Sequence, residues 1–229
     1  STRIAIAGAG RMGQALGASV ELDAGLELAG IWQRGGDLSD LLIGSDVAID
    51  FSLPEASQIV LDAAVHQEIP LIYGVSGLNQ SQLAYLERAA TEIAIVFDRN
   101  MSLGIAVLER SVREAASSLG PEFEIEVFET HHTHKRDAPS GTALKLGEAM
   151  AVARGDDSTD AIQYSSERRG DVPGDHEVKM SSPTEQLVFS HSVTTRQVFV
   201  DGALQAARWV LDRPPGLYSM QDVLFSYLK

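Results

Sequence analysis

The stretch "ETHHTHKRDAPSGTA", residues 129–143, puts three histidines and two cations into six consecutive positions, 131–136, then breaks to proline and restarts on Ser-Gly-Thr. Imidazole exchanges protons near neutral pH, and a lysine ammonium is a point charge suited to carboxylate or phosphate. A metal, a phosphate, a nucleic acid or a small dianion are the ligands to weigh. Metal fits poorly. On a strand, His132 and His134 share a face while His131 points the other way. The chain has no cysteine and no H-E-x-x-H run, and Lys135 and Arg136 would repel a cation. The bland alternative is three histidines solvated at a strand end.

The anion reading uses more of the stretch. Pro139 pushes Ala138 toward extended geometry. Ser140 suits the N-cap of a helix over 140–154, which makes the backbone around Gly141 and Thr142 an anion site. Lys135 adds its charge. His131 or His132 then supplies a proton, a service worth ~10²–10⁴-fold in rate. A small dianion that is both held and protonated satisfies all of these residues.

A second motif opens the chain. "IAIAGAGRMGQAL" is G-x-G-x-x-G at Gly8, Gly10 and Gly13, following an apolar strand and opening a helix. In that context it is a dinucleotide fingerprint: Gly8 for the tight turn, Gly10 for close approach to a pyrophosphate, Gly13 for helix–strand packing. Ala9, Arg11 and Met12 lie in the same loop. The ribose is read about 20 residues later, where the second strand ends "GIWQRGG" with Gln33 and Arg34 instead of a carboxylate. A guanidinium can pair with a 2′-phosphate, so NADPH is favoured, NADH remains possible, and stacking of Arg34 on adenine is the alternative. Two later strand ends, "YGVSG" and "FDRNMSLG", add Gly74, Val75, Ser76, Asp98, Arg99, Asn100 and Met101 to the cofactor side. Ser102 also reads as a plain N-cap.

These motifs need a scaffold, and the pattern of apolar runs predicts one. Strands are expected at Arg3–Ala7, Leu26–Trp32, Val47–Phe51, Ile69–Tyr73 and Ile93–Phe97, with helices near 12–22, 54–67 and 79–92 between them. The near-continuous apolar strands argue for a doubly wound parallel sheet of Rossmann type in an α/β protein. After a helix over 102–119 the pattern changes to "EFEIEVFETH", "HEVKM" and "EQLVFSHSV". That alternation predicts a smaller α+β domain with a mixed or antiparallel sheet. "SSERRGDVPGDH", 165–176, reads as a mobile loop. The final stretch, "DGALQAARWVLDRPPGLYSMQDVLFSYL", reads as helix with a Pro-Pro-Gly stop. A dinucleotide-binding domain is therefore expected over 1–104 with 197–229, and a substrate-binding and oligomerisation domain over 105–196.

Bulk properties narrow the function. The 229 residues carry a formal net charge of −14, which disfavours nucleic acid and anionic lipid. No apolar run approaches the ~18 residues of a membrane span. The absence of cysteine removes thiolate metal sites and thiol nucleophiles. A cytoplasmic protein is the expectation. No Tyr-x-x-x-Lys of a short-chain dehydrogenase is present. A non-catalytic dinucleotide sensor on the same fold is the alternative function, and it would have no use for a proton donor beside a dianion site.

The run E-T-H-H-x-H-K-x-D-A-P-S-G-T-A resembles the signature of the 4-hydroxy-tetrahydrodipicolinate reductase (dihydrodipicolinate reductase) family of lysine and diaminopimelate biosynthesis. The resemblance extends through "GAGRMG", "DFSLPEA", "GVSG", "RNMSLG", "RRGDVPGDHEV", "HSVTTRQVFVDGALQAARW" and "GLYSMQDVL". It implies a two-domain NAD(P)H-dependent reductase, usually a homotetramer, that passes hydride to C4 of a cyclic unsaturated imine dicarboxylate to give tetrahydrodipicolinate. By motif position it implies His131 as general acid and Lys135 as proton donor or carboxylate partner. His132, Ser140, Gly141 and Thr142 fall at the substrate, and Arg196 near the hinge. The chain departs from the family between its second and third strands, where little sequence remains, and at Asp98-Arg99, where Ala-Pro is usual. Gln33 in place of an acid sets NADH preference in doubt.

Overall fold

The computed structural model describes residues 1–228. In chain order the first elements are β1 (Thr2–Ala7), α1 (Arg11–Leu22), β2 (Leu26–Trp32), α2 (Leu38–Leu42), β3 (Val47–Asp50), α3 (Ser57–His66), β4 (Leu71–Tyr73), α4 (Gln80–Ala89) and β5 (Ala94–Phe97). There follow α5 (Leu103–Leu119), β6 (Glu124–His131), α6 (Gly141–Arg154), β7 (Ile162–Arg168), β8 (Asp175–Ser181), β9 (Gln186–His191), α7 (Gln197–Val210), β10 (Gly216–Tyr218) and α8 (Met220–Phe225). The chain forms two compact units, residues 1–103 with 197–229, and residues 104–196.

The first unit is a six-stranded sheet, all parallel, in the order β10-β5-β4-β3-β1-β2. The central strands β3, β4 and β5 are buried almost throughout because helices cover the sheet. Ile4, Ile6, Ile49, Leu71, Ile72 and Ile95 are completely buried. The chain leaves β1 for β2 on one side and returns to β3 on the other. That reversal opens a crevice at the strand ends, the usual ligand position in such sheets. A short helix, α2, forms in the reduced connection between β2 and β3, capped by the Asp37 side chain.

The second unit is a mixed sheet in the order β7-β6-β8-β9. β6 and β7 run parallel, while β8 and β9 are antiparallel to their neighbours. Ile125, Val127, Val178 and Met180 project from one face into a core with Val112, Leu146 and Met150 of α5 and α6. The other face carries Glu126, Phe128, Lys179 and Val188, alternating with the buried set as a half-covered sheet requires.

Three expectations need correction. The stretch 165–176 is not one loop: β7 runs to Arg168 and β8 begins at Asp175, leaving only 169–174 between strands. Residues 216–218 are a strand paired with β5, inside the stretch expected to be helix. β6 stops at His131, so His132 and His134 lie in a turn beyond the strand rather than on its face. No helix among the described residues is long and apolar enough to cross a membrane.

Candidate active site

In the first unit the carboxyl ends of β1, β2 and β3 surround a cavity of about 480 Å³, lined by Gly8, Ala9, Gly10, Trp32, Gln33, Arg34, Phe51, Ser52, Leu53 and Ala56. Gly8 has φ +105°, and a Cβ there would meet the backbone of Phe51 and Ser52 at 2.9 Å. A Cβ on Gly13 would stand 1.7 Å from the Gly8 carbonyl oxygen, whereas one on Gly10 would meet nothing within 4 Å. Tight packing on two sides and open space on the third leave room for a pyrophosphate. Gly10 is also the N-cap of α1 and offers no side-chain capping bond, and a helix start of this kind favours an anion. These features fit a nicotinamide dinucleotide.

At the far side of the cavity Trp32 shapes the turn that follows β2. Its buried indole donates to the Gly36 carbonyl at 2.9 Å, and Gly36 N–H donates to the Gln33 carbonyl at 3.1 Å. The pair pins the 33–36 turn and holds Arg34 exposed at the cavity rim. Gly74 acts through a neighbour: a Cβ there would lie 2.5 Å from the Phe51 ring that lines the cavity. Arg11 and Ser76 are exposed and Met12 half-buried.

Several other residues expected on the cofactor side have their side chains buried or bonded within the protein. Val75 is buried in the core. Buried Asp98 accepts the Met220 N–H at 3.0 Å and so secures the start of α8. Buried Met101 packs its carbonyl against Gly202 of α7, where a Cβ would approach to 1.7 Å. Asn100 accepts the Ser102 N–H at 2.8 Å ahead of α5. Arg99 is exposed. Val75, Asp98 and Met101 can therefore offer a ligand only backbone.

In the second unit His131 ends β6, buried to 8% exposure. Its Nδ1 bonds to Glu129, two residues back on the same strand face. Arg168 ends β7 in register with His131 and grips both oxygens of Glu129 at 2.9 Å. Burial alone would raise the Glu129 carboxyl. Arg168, His131 and Ser166 overcome it and hold the group at about 2, a carboxylate at all working pH. For His131 burial lowers the pKa, Glu129 raises it, and Lys135 and Arg168 lower it again, with a net downward shift. Its ring meets that of His176 edge-on, with centroids 5.1 Å apart.

Ser140 caps α6, its hydroxyl accepting the Ala143 N–H at 3.1 Å. The same oxygen lies 3.0 Å from Nε2 of His176. His176 is buried to 3% exposure, and burial holds its pKa down at about 3, so the ring that shares this hydrogen bond with the serine hydroxyl is neutral. Beyond the strand, His132 and His134 lie with rings 6.4 Å apart. Burial first, then Arg196 and Lys135, lower the pKa of His132. Lys135 pairs with Asp137 at 2.8 Å, so its ammonium already has a carboxylate partner within the turn. Half-buried Gly141 and buried Thr142 form the first turn of α6.

Glu129, Arg168 and His176 went unnoticed in the sequence. The two-residue spacing of Glu129 and His131 was a usable signal, since it puts both on one face of a strand. Arg168 gave none, because its place depends on β7.

A doubly wound nucleotide unit joined to a mixed-sheet unit with a buried carboxylate–histidine pair defines an NAD(P)-dependent oxidoreductase. Residues 2–101 match the family description "Dihydrodipicolinate reductase, N-terminus" and residues 104–224 match "Dihydrodipicolinate reductase, C-terminus". The chain belongs to this family. It is 42% identical to the 4-hydroxy-tetrahydrodipicolinate reductase of Caulobacter vibrioides over 248 residues, covering 97% of this chain and 96% of that one. It is 43% identical over 195 residues to the enzyme of the same name from Pseudoalteromonas translucida, covering 78% and 73%. A dipicolinate-bound dihydrodipicolinate reductase from a Paenisporosarcina species shares the fold at a TM-score of 0.82, with 21% identity, 97% of this chain and 99% of that chain covered.

Proposed function

We propose that this reductase reduces 4-hydroxy-tetrahydrodipicolinate, after loss of water, to tetrahydrodipicolinate, with His131 as proton donor and NADPH as the preferred cofactor. A bound nicotinamide dinucleotide supplies the hydride, which is delivered to C4 of the conjugated imine. Addition there leaves an electron-rich carbon next to C4 that must take a proton. The buried His131 on its carboxylate partner is the observation that carries the reading, because it is a titratable donor held in place beside a helix N-terminus.

The remaining residues take binding roles. Gly141 and Thr142, at the start of the α6 turn that Ser140 caps, present the helix N-terminus to one substrate carboxylate. Lys135 exchanges Asp137 for that carboxylate, or gives a proton. His132 and Arg196 complete the polar surround. Gly8, Gly10, Gly13 and the α1 N-terminus hold the pyrophosphate. Arg34, with Gln33 in place of an acid, holds the 2′-phosphate. The half-covered sheet face bearing Phe128 and Val188 is where subunits of a cytoplasmic homotetramer would meet. Light scattering of the purified chain tests the assembly.

The experiment for the reaction is the initial rate of NADPH and NADH oxidation with freshly generated substrate. Fast oxidation supports the reading, and the ratio of the two rates measures cofactor preference. Dinucleotide binding without oxidation would refute it.

A further inference from the structure

Three elements hold His131 in place, and they meet at one carboxylate. Oε2 of Glu129 bonds to His131 Nδ1 and accepts from Arg168 Nη1 at 2.9 Å. Oε1 accepts from Arg168 Nη2 at 2.9 Å and from the Ser140 backbone N–H at 3.2 Å. A carboxylate offers about four acceptor positions, and these four bonds, with Ser166 beside them, leave none open. Glu129 is completely buried, so water does not compete for them.

We infer that Glu129, clamped by Arg168, is the positioning residue that fixes His131 in its Nδ1–H tautomer and leaves Nε2 as the atom that exchanges a proton with substrate. The inference rests on the proposed role of His131. An ionised carboxylate can only accept, so Nδ1 keeps its hydrogen whether the ring is charged or neutral. The proton that leaves is then the one on Nε2, and it passes to the substrate carbon as imidazolium becomes neutral imidazole without turning. Nε2 lies against Gly174, where a Cβ would approach to 2.9 Å and where φ is +148°. Glycine leaves that edge of the ring clear.

Arg168 has a balancing effect. The groups facing His131 are Glu129 on its own strand, Arg168 on β7, His176 on β8 and Lys135 in the following turn. Glu129 unopposed would hold the imidazolium too firmly to release its proton. Arg168 offsets that attraction while keeping Glu129 charged. It also donates to the carbonyls of Lys135 at 3.3 Å and Asp137 at 2.6 Å, tying the turn to the same clamp.

The test is ¹⁵N–¹H NMR of the imidazoles in the full chain, titrated with pH without ligand. In the native protein His131 should show a protonated Nδ1 and, above its pKa, a bare Nε2. A native Nε2–H tautomer would overturn the inference and needs no variant to fold. In Glu129→Gln the His131 pKa should fall, because an attractive charge is gone and Arg168 is left unopposed. In Arg168→Met it should rise. Equal values in native and both variants would also overturn it. With substrate, Glu129→Gln should lower kcat by ~10²-fold or more with KM little changed, as loss of tautomer control does in a serine-protease triad, and should shift the basic limb of the kcat profile to lower pH. Should His131→Ala turn over normally, the proposed reaction role fails while the tautomer measurement still decides the positioning.

Discussion

Gly13 packs its α-carbon so close to the Gly8 carbonyl that a methyl group there would stand 1.7 Å from the oxygen. Helix α1 therefore crosses β1 at a distance only glycine permits, and the loop between them is set by that contact. Gly13→Ala should destabilise the first unit by about 1–3 kcal/mol or more. Gly10→Ala, with open space and φ −75°, should leave stability unchanged and weaken dinucleotide binding. Thermal unfolding and fluorescence titration with NADPH separate the two.

Arg34 stands at the cavity rim on a turn pinned by Trp32. Removing a charge-assisted bond costs about 1.5–3 kcal/mol. Arg34→Ala should therefore weaken NADPH by roughly 10–100-fold and NADH far less. Dissociation constants for both cofactors check this, and equal losses would remove Arg34 from the 2′-phosphate.

His131→Ala should lower turnover by ~10²–10⁴-fold with cofactor affinity intact. Lys135→Ala should lower turnover as well, and an effect confined to KM would leave Lys135 a carboxylate partner only. Steady-state kinetics with a parallel NADPH titration measure both.

The neutral, buried His176 makes the second unit acid-sensitive. Its folded pKa of about 3 lies below the usual 6.5, so the unfolded chain binds the extra proton between those values. Stability is present above pH 6.5 and lost as pH falls toward 3, with a slope of about 1.4 kcal/mol per pH unit. His176→Gln should lose that slope. Urea unfolding from pH 7 to 4 checks it by difference, which cancels the opposite-signed contribution of buried Asp50, held up at about 6 by burial in the first unit.

Much of this was legible in the sequence. The glycine fingerprint, the apolar parallel strands and the Ser140 cap all rest on local patterns, and β2 has the bounds its apolar run predicts, Leu26–Trp32. β7 was not legible. "IQYSSER" is mostly polar, half-exposed and at a sheet edge, so its own residues give little strand signal and its pairing with β6 decides the outcome. β10, a three-residue strand directly after Pro214-Pro215, forms for the same non-local reason. Arg168 and the clamp on Glu129 were hidden with β7.

The parallel pairing of β6 and β7 makes the proposed clamp on Glu129 sensitive to chain length in this region. His131 and Arg168 are register partners at the ends of adjacent strands. An extra residue in the 155–161 connection would be taken up at the surface. An extra residue inside β7 would turn Arg168 to the opposite face while backbone pairing persisted. Length variants in that short stretch should yield a soluble, ordered and inert protein, so screens for folding alone would miss them.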